Sequence, residues 1–226
     1  MKLQKIAACT LIVFLALGSV IAQRSETTVE QEYLNSVEDV IVKELAAADD
    51  RDSKLVSLQY LELALDSGRV SPDMVYALEM LAGEGSFTQS RTNGRLANNF
   101  PDIRAKACDL LAKAKTEESK HILLKVILAD NEPMVTTAAI RSLGEIGLND
   151  KNDVLEAISW TEKKYAILNP TSSLALEILN AYEKLAPTAT DNTSMIQSIS
   201  AIATNYNYVT PVRTKALNLL KRLTGR

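Results

Sequence analysis

"NEPMVTTAAIRSLGEIG", residues 131–147, has the outline of a helix meant to be covered by neighbours. Pro133 stands where a first helical turn tolerates proline, because the N–H it lacks would have had no partner there. Gly147 supplies a residue that accepts the left-handed turn after a helix. Counting from Pro133, apolar residues fall at Val135, Ala139, Ile140, Leu143 and Ile146, offsets +2, +6, +7, +10 and +13. Steps of 4, 1, 3 and 3 keep all five on one stripe of an α-helix.

The same frame recurs along the chain. From Pro101 it gives Ile103, Ala107, Cys108, Leu111 and Ala114, and from Thr210 it gives Val212, Ala216, Leu217, Leu220 and Leu223. A looser copy from Ser172 gives Leu174, Ile178, Leu179, Tyr182 and Leu185. The stretch 51–68 is a fifth candidate, apolar on too many faces to fix its register. The four starts lie 32, 39 and 38 residues apart, and a period in that range is the signature of stacked helical repeats. Five other amphipathic stretches alternate with these, Ser71-Pro72 reads as a helix start, and Gly68, Gly83 and Gly147 read as stops. With no alternating strand pattern of any length, the expectation is an all-α chain of ten helices in five antiparallel pairs.

The pattern Pro-x-aliphatic-Arg-x-x-Ala followed by leucines, best seen in "PDIRAKACDLL" and "EPMVTTAAIRSLGEIG" and shifted by one place in "PVRTKALNLLKRL", resembles the HEAT-repeat family, including its bacterial variants. The resemblance implies a right-handed α-solenoid in which the second helix of each pair lines a concave, partner-binding side. It also implies that the arginine of the pattern bonds an acidic or amide residue in the turn of a neighbouring repeat. Asp130 is the candidate for Arg104, and Arg213 holds the same position in the last unit. Thr136 and Ala175 replace the arginine in the other two units.

The N-terminus has a different layout. Lys2 and Lys5 precede an apolar run from Ile6 to Leu17 and a small-residue ending at Ala22. This predicts a secretory signal peptide over 1–22, with residues 23–226 as one repeat domain and export to the periplasm or cell envelope, or secretion outside bacteria. An uncleaved membrane anchor is the alternative. Without the two lysines the formal charge moves from −3 to −5, a poor match for phosphate, so nucleic acid is not an expected partner. One cysteine, Cys108, remains beyond residue 22, and no internal disulfide can form.

No residue set for catalysis, metal binding or a cofactor is expected. Cys108 falls on the apolar stripe, His121 is the single histidine, and Trp160 is expected to pack inward. "ADDRD", residues 48–52, lacks the spaced oxygen ligands of a calcium loop and reads as an inter-helix turn. The segment 84–100 interrupts the period and reads as a mobile insertion, with Phe87, Arg91 and Arg95 as binding candidates. Candidate partner-binding residues are those of the second helices outside the stripe: Lys106, Asp109, Lys113, Arg141, Glu145, Lys215, Asn218 and Arg222. These readings point to an exported, non-enzymatic scaffold for a protein partner. The alternatives are a lyase-type enzyme or enzyme subunit of the repeat class, resting on Cys108 and His121, and a membrane-tethered envelope protein.

Overall fold

The structure, a computed structural model, describes residues 28–225, so the signal-peptide reading of 1–22 lies outside the described residues. The chain divides into two units, 1–38 and 39–226. The described part of the first is the opening of helix α1 (Val29–Ala47), where Thr28 Oγ1 accepts from the Gln31 backbone N–H.

The second unit holds the rest of α1 and nine further helices. These are α2 (Arg51–Asp66), α3 (Pro72–Ala82), α4 (Pro101–Ala114), α5 (Glu117–Ala129), α6 (Pro133–Ile146), α7 (Asp153–Leu168), α8 (Ser172–Leu185), α9 (Thr193–Thr204) and α10 (Thr210–Thr224). Within this unit α3, α5, α7 and α9 pack one against the next, and so do α2, α4, α6, α8 and α10. Cross-contacts such as α5 with α6 and α9 with α10 join the two rows. This is an all-α HEAT-like solenoid: no helical pair can bury both of its apolar faces, so each covers its neighbour and the core runs on as a strip.

The stripe behaves as its spacing predicts in the inner units. Val135, Ala139, Ile140 and Leu143 are fully buried, as are Ile103, Ala107, Cys108 and Leu111, and the loose copy on α8 is buried throughout. In α10 the stripe breaks: Leu217 stands 49% exposed at the offset where Cys108, Ile140 and Leu179 are covered. No described helix follows α10 in its row.

Register in α2 is settled by polar residues that the hydropathy pattern hides. Lys54 and Ser57 point inward, donating to the carbonyls of Ala46 and Val42 at 2.9 and 3.0 Å. Val56, Tyr60 and Leu63 therefore emerge on the opposite face.

Helix ends follow from local chemistry. Ser71 caps α3 by accepting from the Met74 N–H at 3.1 Å, and Gly147 ends α6 with φ of 75°. Gly83 also ends its helix but keeps a right-handed conformation, and the ring of Phe87 fills the space a side chain there would need.

The 84–100 segment contains a hairpin, with β1 (Arg91–Thr92) antiparallel to β2 (Arg95–Leu96) and Asn93-Gly94 at its tip. Both tip residues have positive φ, the requirement of a tight hairpin turn. At its base, the Asn98 amide donates to Glu84 Oε1 at 2.7 Å and to the Thr88 carbonyl at 2.8 Å.

Candidate interaction surface

Asp109, Arg141, Glu145 and their counterparts come together as a ladder of ion pairs running across α2, α4, α6, α8 and α10. Glu62 on α2 takes Lys106 at 2.6 Å and Lys113 at 3.5 Å, and Lys113 also reaches Asp66 at 2.5 Å. Asp109 pairs with Arg141 at 2.7 Å, and Arg141 lies 3.9 Å from Glu177 on α8. Glu145 faces Lys184 at 3.8 Å, and Glu183 takes Lys215 at 3.1 Å and Arg222 at 2.6 Å. Seven of the eight candidates thus hold a partner on an adjacent helix, and Asn218 makes no ion pair.

The geometry repeats because the offsets repeat. Lys106 and Lys113 stand at +5 and +12 of their unit, as do Lys215 and Arg222, and each couple straddles one glutamate on the preceding helix. Hydrogen bonds from Lys106 hold the Glu62 carboxyl below its ordinary range, and those from Arg222 and Lys215 do the same for Glu183. Exposed pairs of this kind contribute on the order of 0–1 kcal/mol each, so the ladder sets register and surface charge pattern more than stability.

Between the rungs lie clefts. One of about 460 Å³ is lined by Ala105, Asp109, Met134, Thr137, Ala138 and Arg141, and Met134 is half exposed. A second is lined by Arg141, Glu145, Glu177, Asn180, Glu183 and Lys184, and a third by Thr214, Lys215, Asn218, Lys221 and Arg222 with Glu183. Met134 and the exposed Leu176 escaped the sequence reading because both sit outside the stripe, where an apolar residue has no pattern to report it.

The insertion candidates are exposed, but two of them are engaged locally. Phe87 lies against Gly83, and Arg91 donates to the Gly94 carbonyl at 3.3 Å and to Gln89 at 3.1 Å. Arg95 is exposed on β2. The base of the insertion is fastened to the core through Arg104. Its Nε donates to Asp130 Oδ2 at 2.6 Å, while Nη1 donates to the Glu84 carbonyl and Asn99 Oδ1, both at 3.0 Å. Ser86 adds a bond to Asp130 at 2.8 Å, and Lys54 pairs with Glu84 at 2.7 Å. Arg104 thus does bond the turn residue of the neighbouring unit, as the family resemblance implied.

Cys108 is fully buried, and burial drives its thiol well above the ordinary range, which leaves no thiolate nucleophile. His121 is exposed on α5. Trp160 corrects the expectation of inward packing: it is half exposed on α7, with Lys164 Nζ 5.6 Å from its ring centre. Among the described residues no group of three His, Cys, Asp or Glu side chains is placed to hold a metal ion, and no helix is long and apolar enough to cross a membrane.

Residues 91–174 match the family model for HEAT repeats, so the chain carries HEAT repeats over α4 to the start of α8. No curated protein and no solved structure matches the chain.

Proposed function

We propose that this HEAT-repeat chain is an exported, non-enzymatic scaffold that binds a protein partner across the face built by α4, α6, α8 and α10. The observation that carries the reading is the cleft over Met134. It sets the half-exposed Met134 side chain beside the Asp109–Arg141 ion pair, the combination that lets an interface bury a hydrophobic anchor next to a polar border. HEAT repeats commonly serve as interaction scaffolds, which supports the class of function and leaves partner identity to experiment. Export rests on the basic-then-apolar layout of residues 1–22.

The test is cross-linking capture with the full chain in envelope extract of the source cells, run beside Met134→Asp and Asn218→Arg. Neither residue makes an ion pair, so both substitutions leave every residue of the ladder in place. A defined partner captured by the parent and lost with Met134→Asp is the expected result. Capture insensitive to both substitutions removes this face from consideration. Intact mass of the protein recovered from its cells tests export, with a start near Gln23 expected and a mass that includes residues 1–22 counting against cleavage.

A further inference from the structure

The last described unit repeats an inner site with one member missing. Arg104 and Arg213 share the +3 offset of their units, and the residues at +7, Cys108 and Leu217, follow on the same helix face. In the inner unit Arg104 pairs with Asp130, a carboxylate in the turn between the two helices of the next pair, and Cys108 is fully buried. In the last unit Arg213 has no carboxylate partner among the described residues. Its Nε is buried without a hydrogen-bond partner, Nη2 reaches only the Thr210 hydroxyl at 3.3 Å, and the guanidinium lies 4.7 Å from the Tyr206 ring centre. Around it Leu217 is 49% exposed, Val209 54% and Tyr206 87%. A buried, unpaired guanidinium nitrogen beside an open apolar face marks a position built to receive an acidic turn followed by a helix.

The other end of the same unit carries such an element. The turn before α2 presents Asp49 and Asp50, both exposed, in the place between paired helices that Asp130 occupies in the inner repeat. Among the described residues Asp49 makes no ion pair, and Asp50 accepts from the Ser53 N–H. Behind the turn, Val56, Tyr60 and Leu63 lie at i, i+4 and i+7 on the face of α2 opposite the one that pairs with α4, each between 39% and 68% exposed. One end is acidic and apolar, the other basic and apolar.

We propose that the α9–α10 end of one copy is covered by the α2 end of a second copy, with Arg213 taking a carboxylate from the Asp49-Asp50 turn as Arg104 takes Asp130 within the chain. Leu217 then meets the Val56–Tyr60–Leu63 face. The contact is head-to-tail, using two different surfaces of the same chain, so it propagates into rings or open rows rather than closing as a two-fold dimer. It leaves the Met134 cleft free, and its failure bears on self-association alone.

The test uses the full chain in a Cys9→Ser background carrying Asp49→Cys and Thr210→Cys, with Asp50 and Arg213 left in place. Mild oxidation is expected to give a covalent ladder extending beyond dimer, abolished by adding Leu217→Glu. Each single-cysteine variant is expected to stay monomeric on the same gel. Absence of cross-linking in the double variant overturns the proposal, as do single variants that dimerise equally well and a ladder that survives Leu217→Glu. Sedimentation velocity of the Cys9→Ser protein without the added cysteines supplies the second reading. Arg213→Asp is expected to lower its concentration-dependent association at least tenfold, and Asp49→Arg in the same chain to restore part of it. A parent that sediments as monomer at every concentration overturns the proposal as well.

Discussion

Arg104 donates from Nε to Asp130 Oδ2 at 2.6 Å, and both side chains are almost wholly buried. The pair joins two helical units and also holds the insertion, because the same guanidinium bonds the Glu84 carbonyl and the same carboxylate takes Ser86. Removing one partner leaves the other charged and dry, a change that costs about 3–5 kcal/mol. Arg104→Ala and Asp130→Ala are each expected to lower the urea midpoint by that equivalent. The double variant should cost less than the sum of the two. Additive losses would mean that the two groups do not depend on each other.

Gly144 lies inside α6, where glycine weakens a helix by about 1 kcal/mol relative to alanine. A Cβ added there would stand 2.8 Å from Ala181 Cα and 3.0 Å from its Cβ, so α6 and α8 touch through that gap. Gly144→Ala is expected to destabilise by about 1–3 kcal/mol of overpacking in spite of the better helix former. A melting temperature raised by this substitution would show that α6 and α8 can move apart at no cost.

Much of this could be read from sequence, and the failures share a cause. The stripe on α4 and α6 was legible because small and aliphatic residues mark the buried face without competition. On α7 the inward positions Val154, Ile158, Thr161, Glu162 and Tyr165 include a threonine and a glutamate, while the largest apolar side chain, Trp160, faces out. Hydropathy alone puts Trp160 inside, and its stacking with Lys164 carries no signal in spacing. The ion ladder was half legible: the offsets named both members of the Asp109–Arg141 rung and one member of the others, but Glu62, Glu177 and Glu183 sit on neighbouring helices whose alignment only packing decides. The insertion's fastening through Arg104 was hidden for the same reason, since Glu84 contributes a backbone carbonyl that no side-chain pattern encodes.

Glu162 gives the fold a dependence on pH. Its Oε1 is buried without a hydrogen-bond partner, near the equally unpartnered Tyr182 hydroxyl, and burial pushes its carboxyl from 4.5 to about 6 against the pull of the Lys163 charge. Tyr208 is the other titratable group that feels it. A raised carboxyl pKa means that the folded chain binds the proton more tightly than the unfolded one. Stability therefore rises as pH falls through about 6, and the gain is complete near 4.5. The shift corresponds to about 2 kcal/mol between the fully ionised and fully protonated limits. Denaturation at pH 8 and pH 5 should show most of that gain, and Glu162→Gln should be the more stable chain at pH 8 and lose the slope. A parent that weakens from pH 8 to pH 5 would reverse the assignment.

Cys108 separates a scaffold from a chain with a nucleophile. Its side chain is fully buried on α4, and burial pushes its thiol away from ionisation. Alkylation needs a thiolate within reach of solvent, so it requires the fold to open first. In the Cys9→Ser chain, iodoacetamide is expected to leave Cys108 unlabelled at neutral pH for hours and to label it fully above the urea transition, with the labelled fraction following the unfolded population. Rapid labelling of the native chain would place a reactive thiol on a repeat surface, and the enzyme reading would then have the group it lacks.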